Sequence, residues 1–387
     1  MAHSTVTFFP VGEKNGGMTL IKLNDTKNTT ILVDCSIGDE LIADYCDVNQ
    51  ELRDKLPTDS NKRPYVDTFI LTHRHDDHVK GFINHFHTGP LDDYDDDADE
   101  KKIVIKEMWS SHNFWKPSSA SYKLCESAKA FNREMKRRVD LFKEKKAIQS
   151  EGDRAIVIGK DPEGRTDDIG DINYDIGDTF TKINNLDISS KLEGFILSPI
   201  EQQESEDDEC FTDKNRQSVA IQLTVIQGQY RNKLMIAADA ECLVWETLWK
   251  RYEDKNERLE YDILSAPHHC SWHSLSYDSQ SECEDPKVCE DAKKALSQKK
   301  DGAFIVSQSR IIQDSDGDPP SQAAKDEYVE IIGEDQFICT NEYPDKKKPE
   351  PIEFNLTGDG PQKKSVKEKS KLSVAALAST KEAFYHG

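Results

Sequence analysis

No run of about 20 apolar residues occurs in this chain, which excludes a helix long and apolar enough to cross a membrane. No secretory pattern opens it either: Met1-Ala2-His3-Ser4 runs directly into an apolar, strand-like segment, so a cytoplasmic protein is expected. Its nine cysteines are odd in number and show no tight spacing, which argues against a disulfide framework and for reduced thiols. Positive charge is scarce, with 51 Lys and Arg against 73 Asp and Glu, a net charge of −22. Such a surface repels nucleic acid everywhere except at a local basic patch. Hydrophobic residues make up only 36% of the 387 positions, yet at this length they suffice for a sizeable core.

Histidine is also sparse, and its placement is the most informative feature present. Three of the 11 histidines fall within His73-Arg74-His75-Asp76-Asp77-His78, directly after the apolar run Val66-Asp67-Thr68-Phe69-Ile70-Leu71-Thr72 and before Val79-Lys80-Gly81. Side chains alternate along an extended backbone, so His73 and His75 point to one side of the loop. The following turn brings Asp77 and His78 to a neighbouring point. Imidazole nitrogens for one cation, with a mixed carboxylate and imidazole set for a second, describe a two-metal site.

The pattern resembles the metallo-β-lactamase superfamily, whose other ligands lie at downstream strand ends. Lys233-Leu234-Met235-Ile236-Ala237-Ala238 followed by Asp239 is similar to its strand and bridging aspartate. Tyr261-Asp262-Ile263-Leu264-Ser265-Ala266-Pro267 followed by His268-His269 is similar to its last histidine element. Thr30-Ile31-Leu32-Val33-Asp34 resembles its first motif, in which the aspartate orients the metal loop from behind. Within the superfamily, the soluble hydrolase domain of ComEC-type competence proteins and their free-standing relatives is the nearest in appearance. That likeness rests on Val11-Gly12-Glu13-Lys14-Asn15-Gly16-Gly17-Met18-Thr19-Leu20-Ile21, Leu197-Ser198-Pro199, Asn215 to Ile221, Pro267-His268-His269-Cys270-Ser271, and the closing segments Ala303 to Ser307, Asp318-Pro319-Pro320 and Phe337 to Thr340. Three departures stand out. Cys270 replaces a glycine, Asp318 stands where the group often has histidine, and Ala238-Asp239 replaces the usual Gly-Asp; Cys270 is expected to narrow the approach to the second metal.

The resemblance implies an α/β fold, an αββα sandwich, with one hydrolase domain over 1–357, insertions at about 88–102, 117–150 and 201–213, and a Lys-rich linker and tail over 358–387. It implies two divalent metal ions, Zn or Mn. His73 and His75 hold the first, Asp77 and His78 the second, and Asp239 bridges. His268 matches the last ligand position best, leaving His269 as a second-metal ligand or a proton donor beside Asp77. The third ligand of the first metal is expected from a strand end, where His112 follows the run Ile103 to Trp109. Asn215 and Ser271 are the candidate substrate contacts near the metals.

Ser119 to Gln149 lacks Pro and Gly and places Leu124, Ala128, Phe131, Met135, Val139 and Leu141-Phe142 at helical spacing. Its other faces concentrate Arg133, Arg137 and Lys145 with five further cations, a surface suited to a nucleic-acid backbone or an acidic protein partner. The tail, with Leu372-Ser373-Val374-Ala375-Ala376-Leu377, is a second candidate docking element. Trp109, Trp115 and Trp272 stand near the expected metal loops, where aromatic faces can stack bases. These features point to a phosphodiesterase or nuclease. The alternatives are a hydrolase of small lactones, thioesters or other esters, and a metal-binding subunit of a multi-protein complex of the phage-defence kind.

Overall fold

A computed structural model describes residues 3–12, 14–38, 45–117, 123–200, 218–314 and 317–365. Two large sheets carry the chain. In the first, the outer half is antiparallel: Gly360–Lys363, Ile352–Thr357, Ser4–Phe8, Thr19–Lys22 and Thr30–Val33 lie side by side. The inner half is parallel, running through Tyr65–Leu71, Val104–Ser111, Arg154–Ile158 and Asn173–Tyr174. The second sheet repeats the plan. Leu192–Ser198, Ala220–Gln227 and Tyr230–Ile236 form an antiparallel meander, and Tyr261–Ser265, Lys299–Ser307 and Phe337–Cys339 continue in parallel. The body extends past the expected boundary at 357, because Gly360–Lys363 is an edge strand.

Alternation along each strand decides what it buries. In the second sheet Leu234, Ile236 and Ile263 join one apolar cluster with Phe69, Leu71, Phe354 and other residues of the first sheet. Their neighbours Met235 and Leu264 enter a separate cluster with Trp245 and Leu248 of the helix Cys242–Tyr252 and with Tyr328 of Gln322–Ile332. The two sheets therefore share a core, and helices cover the far side of the second. Among the described residues no helix is long and apolar enough to cross a membrane.

The predicted basic helix spans Glu126–Lys145, shorter than 119–149. Its first free amides are met by the Cys125 thiol, which accepts from Ala128 N, and it ends at Lys146 in a left-handed conformation. Ala128, Phe131, Met135, Val139 and Phe142 are buried, and Phe131 meets Phe69 of the first sheet at 6.0 Å between ring centres. Much of its positive charge is consumed internally. Arg138 is buried and donates to Glu134 and to the carbonyls of Arg154 and Ile105. Arg137 lies between Glu134 and Asp153, each at 2.7 Å, while Arg133 and Lys145 remain exposed.

Candidate metal centre

Four strand ends converge. Asp34 follows Thr30–Val33, the His73–His78 loop follows Tyr65–Leu71, Asp239 follows Tyr230–Ile236, and the His268-His269 turn follows Tyr261–Ser265. Each sheet thus contributes the carboxyl ends of one parallel strand pair. Loops there are freed from the ladder while their roots stay rigid, which suits them to carry a site.

Asp239 is the centre, 1% exposed, and its two oxygens face two different sets of side chains. Oδ2 lies 3.1 Å from His73 Nε2, 4.0 Å from His75 Nδ1 and 3.8 Å from His268 Nε2. Oδ1 lies 3.1 Å from His78 Nε2 and 3.6 Å from His269 Nε2. Asp77 Oδ2 completes the second set, 3.1 Å from His269 Nε2. Within the sets, His73 Nε2 and His75 Nδ1 are 3.1 Å apart, as are His78 Nε2 and His269 Nε2. His73, His75 and Asp239, His73, Asp77 and His78, and His78, Asp239 and His269 each form a group able to hold a metal ion.

The outward nitrogens are fixed by partners, as in metal-binding histidines generally. Asp34, itself in a left-handed conformation and 4% exposed, accepts His78 Nδ1–H at 2.7 Å. Its carboxylate also accepts the Thr72 amide and hydroxyl, each at 2.8 Å. The Thr72 hydroxyl in turn meets His73 Nδ1 at 3.1 Å, so one buried carboxylate sets the orientation of two imidazoles. His269 Nδ1–H donates to the Gln308 carbonyl at 2.8 Å, and Glu241 faces His268 Nδ1 at 3.7 Å. Gly17 runs tight against this arrangement: a β-carbon there would sit 2.7 Å from His78 Nδ1 and 3.2 Å from Asp34 Oδ2. Thr72, Gln308, Glu241 and Gly17 were not foreseen as site residues; only the Gly16-Gly17 pair carries a mark in the sequence.

The electrostatics follow from crowding three carboxylates, Asp34, Asp77 and Asp239, and five imidazoles in one largely buried space. Burial and the neighbouring His73 push His75 down to about 3. Burial opposes a charge on His78 too, but Asp239 and Asp34 outweigh it and hold its pKa well above the ordinary imidazole range. Burial alone would raise Asp239, yet the surrounding histidines His78, His73, His269 and His268 hold it well below the usual carboxylate range. A buried carboxylate stabilised on both oxygens by imidazoles is a donor set suited to cations.

The turn that presents both last histidines is strained. His268, His269 and Cys270 take φ of +47°, +54° and +69°, a run that side chains other than glycine rarely adopt. A glycine at position 270 would relieve part of this. The thiol of Cys270 is fully buried within the outer cluster, against Ser321 and away from the metal-facing nitrogens, so it does not narrow the approach to them.

Other expected residues lie elsewhere. His112 does not join the groups: its strand sits one place further along the sheet, and its Nδ1 packs beside Gly159, with Pro199 on the same glycine. Ser271 is buried, its hydroxyl accepting from His273 N at 3.1 Å. Trp109 and Trp272 are buried, whereas Trp115 is half-buried. Asn215, the acidic segment from Glu201 to Glu209 and the tail from 366 lie outside the described residues.

No family model and no curated protein matches the chain. Among solved structures it is similar to unliganded yeast PDE1, with 10% sequence identity and a TM-score of 0.39, over 87% of this chain and 97% of that one. A likeness this faint carries no argument about function.

Proposed function

We propose that this chain is a metal-dependent hydrolase with an αββα metallo-β-lactamase architecture over about residues 3–363, cleaving phosphodiesters with two divalent cations. The observation that carries this reading is the division of labour on Asp239, one oxygen toward His73, His75 and His268 and the other toward His78, His269 and Asp77. The first set would hold one cation and the second its neighbour, with His268 filling the place for which His112 was a candidate. Bound there, two divalent ions would supply Lewis acidity and make a water molecule a competent nucleophile near neutral pH.

The chain's own residues do the rest. Asp34, Thr72 and Gln308 hold His78, His73 and His269 with their outward nitrogens protonated, so the inward lone pairs face the centre. Asp77, at the rim and partly exposed, is held ionised, against its burial, by His269 and His78 beside it, which suits it to complete the second set as a carboxylate donor. Donor spacings of 3.1 Å between paired nitrogens fit Zn²⁺ or Mn²⁺, and the carboxylates favour neither outright. The test is metal analysis of the purified protein followed by hydrolysis of bis(p-nitrophenyl) phosphate. Activity should vanish on chelation and return with Zn²⁺ or Mn²⁺. A protein that binds no metal, or is active only on lactones or thioesters, refutes the proposal.

A further inference from the structure

A second concavity, which shares no residue with the metal centre, lies over the strands Val104–Ser111 and Arg154–Ile158. It encloses about 80 Å³, and about 560 Å³ with its open mouth. Trp109, Phe142, Ile156, Ile172 and Tyr174 give it apolar and aromatic walls, and Ile148, 42% exposed, belongs to its lining. Glu107 is its most deeply buried carboxylate, 4% exposed. Arg154 is its partner in register on the next strand, so both side chains leave the sheet on one face. Among the described residues the two do not pair with each other. The Trp109 indole N–H, the Asn184 amide and the Thr68 hydroxyl all donate to one oxygen, Glu107 Oε2, at 2.7, 2.9 and 3.2 Å. Oε1 receives none of them. Arg154 donates through Nε to the Gln149 carbonyl and through Nη1 to Asn184, which leaves Nη2 as its nitrogen without a bond to the described residues.

A buried acceptor without a donor carries a free-energy cost that the N–H of a ligand would relieve. Here an unbonded acceptor, Oε1, and an unbonded donor, Nη2, belong to side chains on neighbouring strands about 4.8 Å apart. Charges in the lining balance, with Glu107, Asp153 and Asp171 against Arg138, Arg154 and Lys182, so the cavity favours a neutral ligand over an ion. Its enclosed part is about half of the ~150 Å³ that houses benzene in an engineered cavity, so a single ring fills it and emerges through the mouth. We propose that this cavity binds a small neutral heterocycle that presents an N–H beside an acceptor, the edge shown by a pyrimidine base, with the N–H on Glu107 Oε1 and the acceptor on Arg154 Nη2. Trp109 and Tyr174, 5.5 Å between ring centres, offer it aromatic surface. The site stands apart from the metals, and the proposal holds whether or not they cleave phosphodiesters.

The test is a ligand-observed NMR titration of the full-length protein with uracil, cytosine, 1,3-dimethyluracil and toluene. Uracil and cytosine should bind saturably. The dimethyl derivative keeps both carbonyls and has no N–H, so it should bind about tenfold more weakly, the scale of one buried acceptor left unpaired. Glu107→Gln separates hydrogen bonding from shape. The three donors on Oε2 hold the amide oxygen there, so the new NH2 faces the cavity and turns an acceptor into a donor. The preference for uracil over 1,3-dimethyluracil should then disappear, with metal content unchanged. No saturable binding of either base by wild type, equal binding of uracil and its dimethyl derivative, tighter binding of toluene than of the bases, or a preserved preference in Glu107→Gln overturns the site. Should the variant not fold, the wild-type comparison of uracil with 1,3-dimethyluracil decides alone.

Discussion

Removing the Asp34 carboxylate is the sharpest perturbation of the proposed centre, because Asp34 touches no inferred cation yet governs two of the histidines. Asp34→Ala deletes the acceptor of His78 Nδ1–H and of the Thr72 amide and hydroxyl. At 4% exposure water cannot readily replace it. A buried donor left without a partner costs about 1–3 kcal/mol, so a stability loss of about 3 kcal/mol is expected. The larger effect falls on metal binding. His78 loses its orientation directly and His73 loses it through Thr72. Partners of this kind are worth about 10–100-fold in metal affinity. One effect opposes this: without Asp34 the raised pKa of His78 falls, and protons compete less for its lone pair. Orientation should win, and the deficit should narrow as pH falls, because protons then compete more for the wild-type His78 than for that of the variant.

The assay is competition with a chromophoric chelator at two pH values, alongside chemical denaturation. Asp34→Asn, which keeps one oxygen acceptor, should fall between wild type and Asp34→Ala. If Asp34→Ala retained two tight metal equivalents in a folded protein, the inferred chain from Asp34 through Thr72 to His73 and His78 would not govern the site.

His268 and His269 should divide between the metals: His269→Ala loses the equivalent shared with Asp77 and His78, and His268→Ala weakens the one shared with His73 and His75. Metal counting on the two variants checks this, and two full equivalents in His268→Ala would remove that residue from the centre. Gly17→Ala places a methyl 2.7 Å from His78 Nδ1, so activity and metal affinity should drop together, and an unchanged kcat would show that the loop yields at no cost. His112 is buried and lowered from 6.5 to about 4 by burial first, so the unfolded chain takes up its proton before the folded one. Its contribution to stability is therefore full above pH 6.5 and falls toward pH 4, by about 3 kcal/mol in all; the acid limb of denaturation should flatten in His112→Gln, and parallel limbs would exclude this origin.

Local chemistry made part of this protein legible and topology hid the rest. The loop from His73 to His78 announces itself because its donors are close in sequence, so one short stretch already contains a whole group able to hold a metal ion, His73, Asp77 and His78. The central place of Asp239 was accessible only as a resemblance, since an aspartate after a strand is common. Its two-sided placing is set by the meeting of two sheets, with Asp239 more than 150 residues beyond the His73–His78 loop, and no local pattern encodes that. His112 has the same local context, a histidine after an apolar strand, but among the described residues it stands outside the groups of donors that converge on Asp239. The different placing of His268 and His269 about Asp239 depends on backbone, not side-chain, chemistry. Three successive left-handed residues turn the two imidazoles toward different oxygens of one carboxylate, where a regular turn would present them otherwise. Helical periodicity found the buried face of Glu126–Lys145 but could not reveal that Arg137 and Arg138 close on Glu134, because Glu134 lies on the same helix three and four residues before them and competes with any external anion. A cation's position along a helix says where its charge starts; the carboxylates within reach decide where that charge acts.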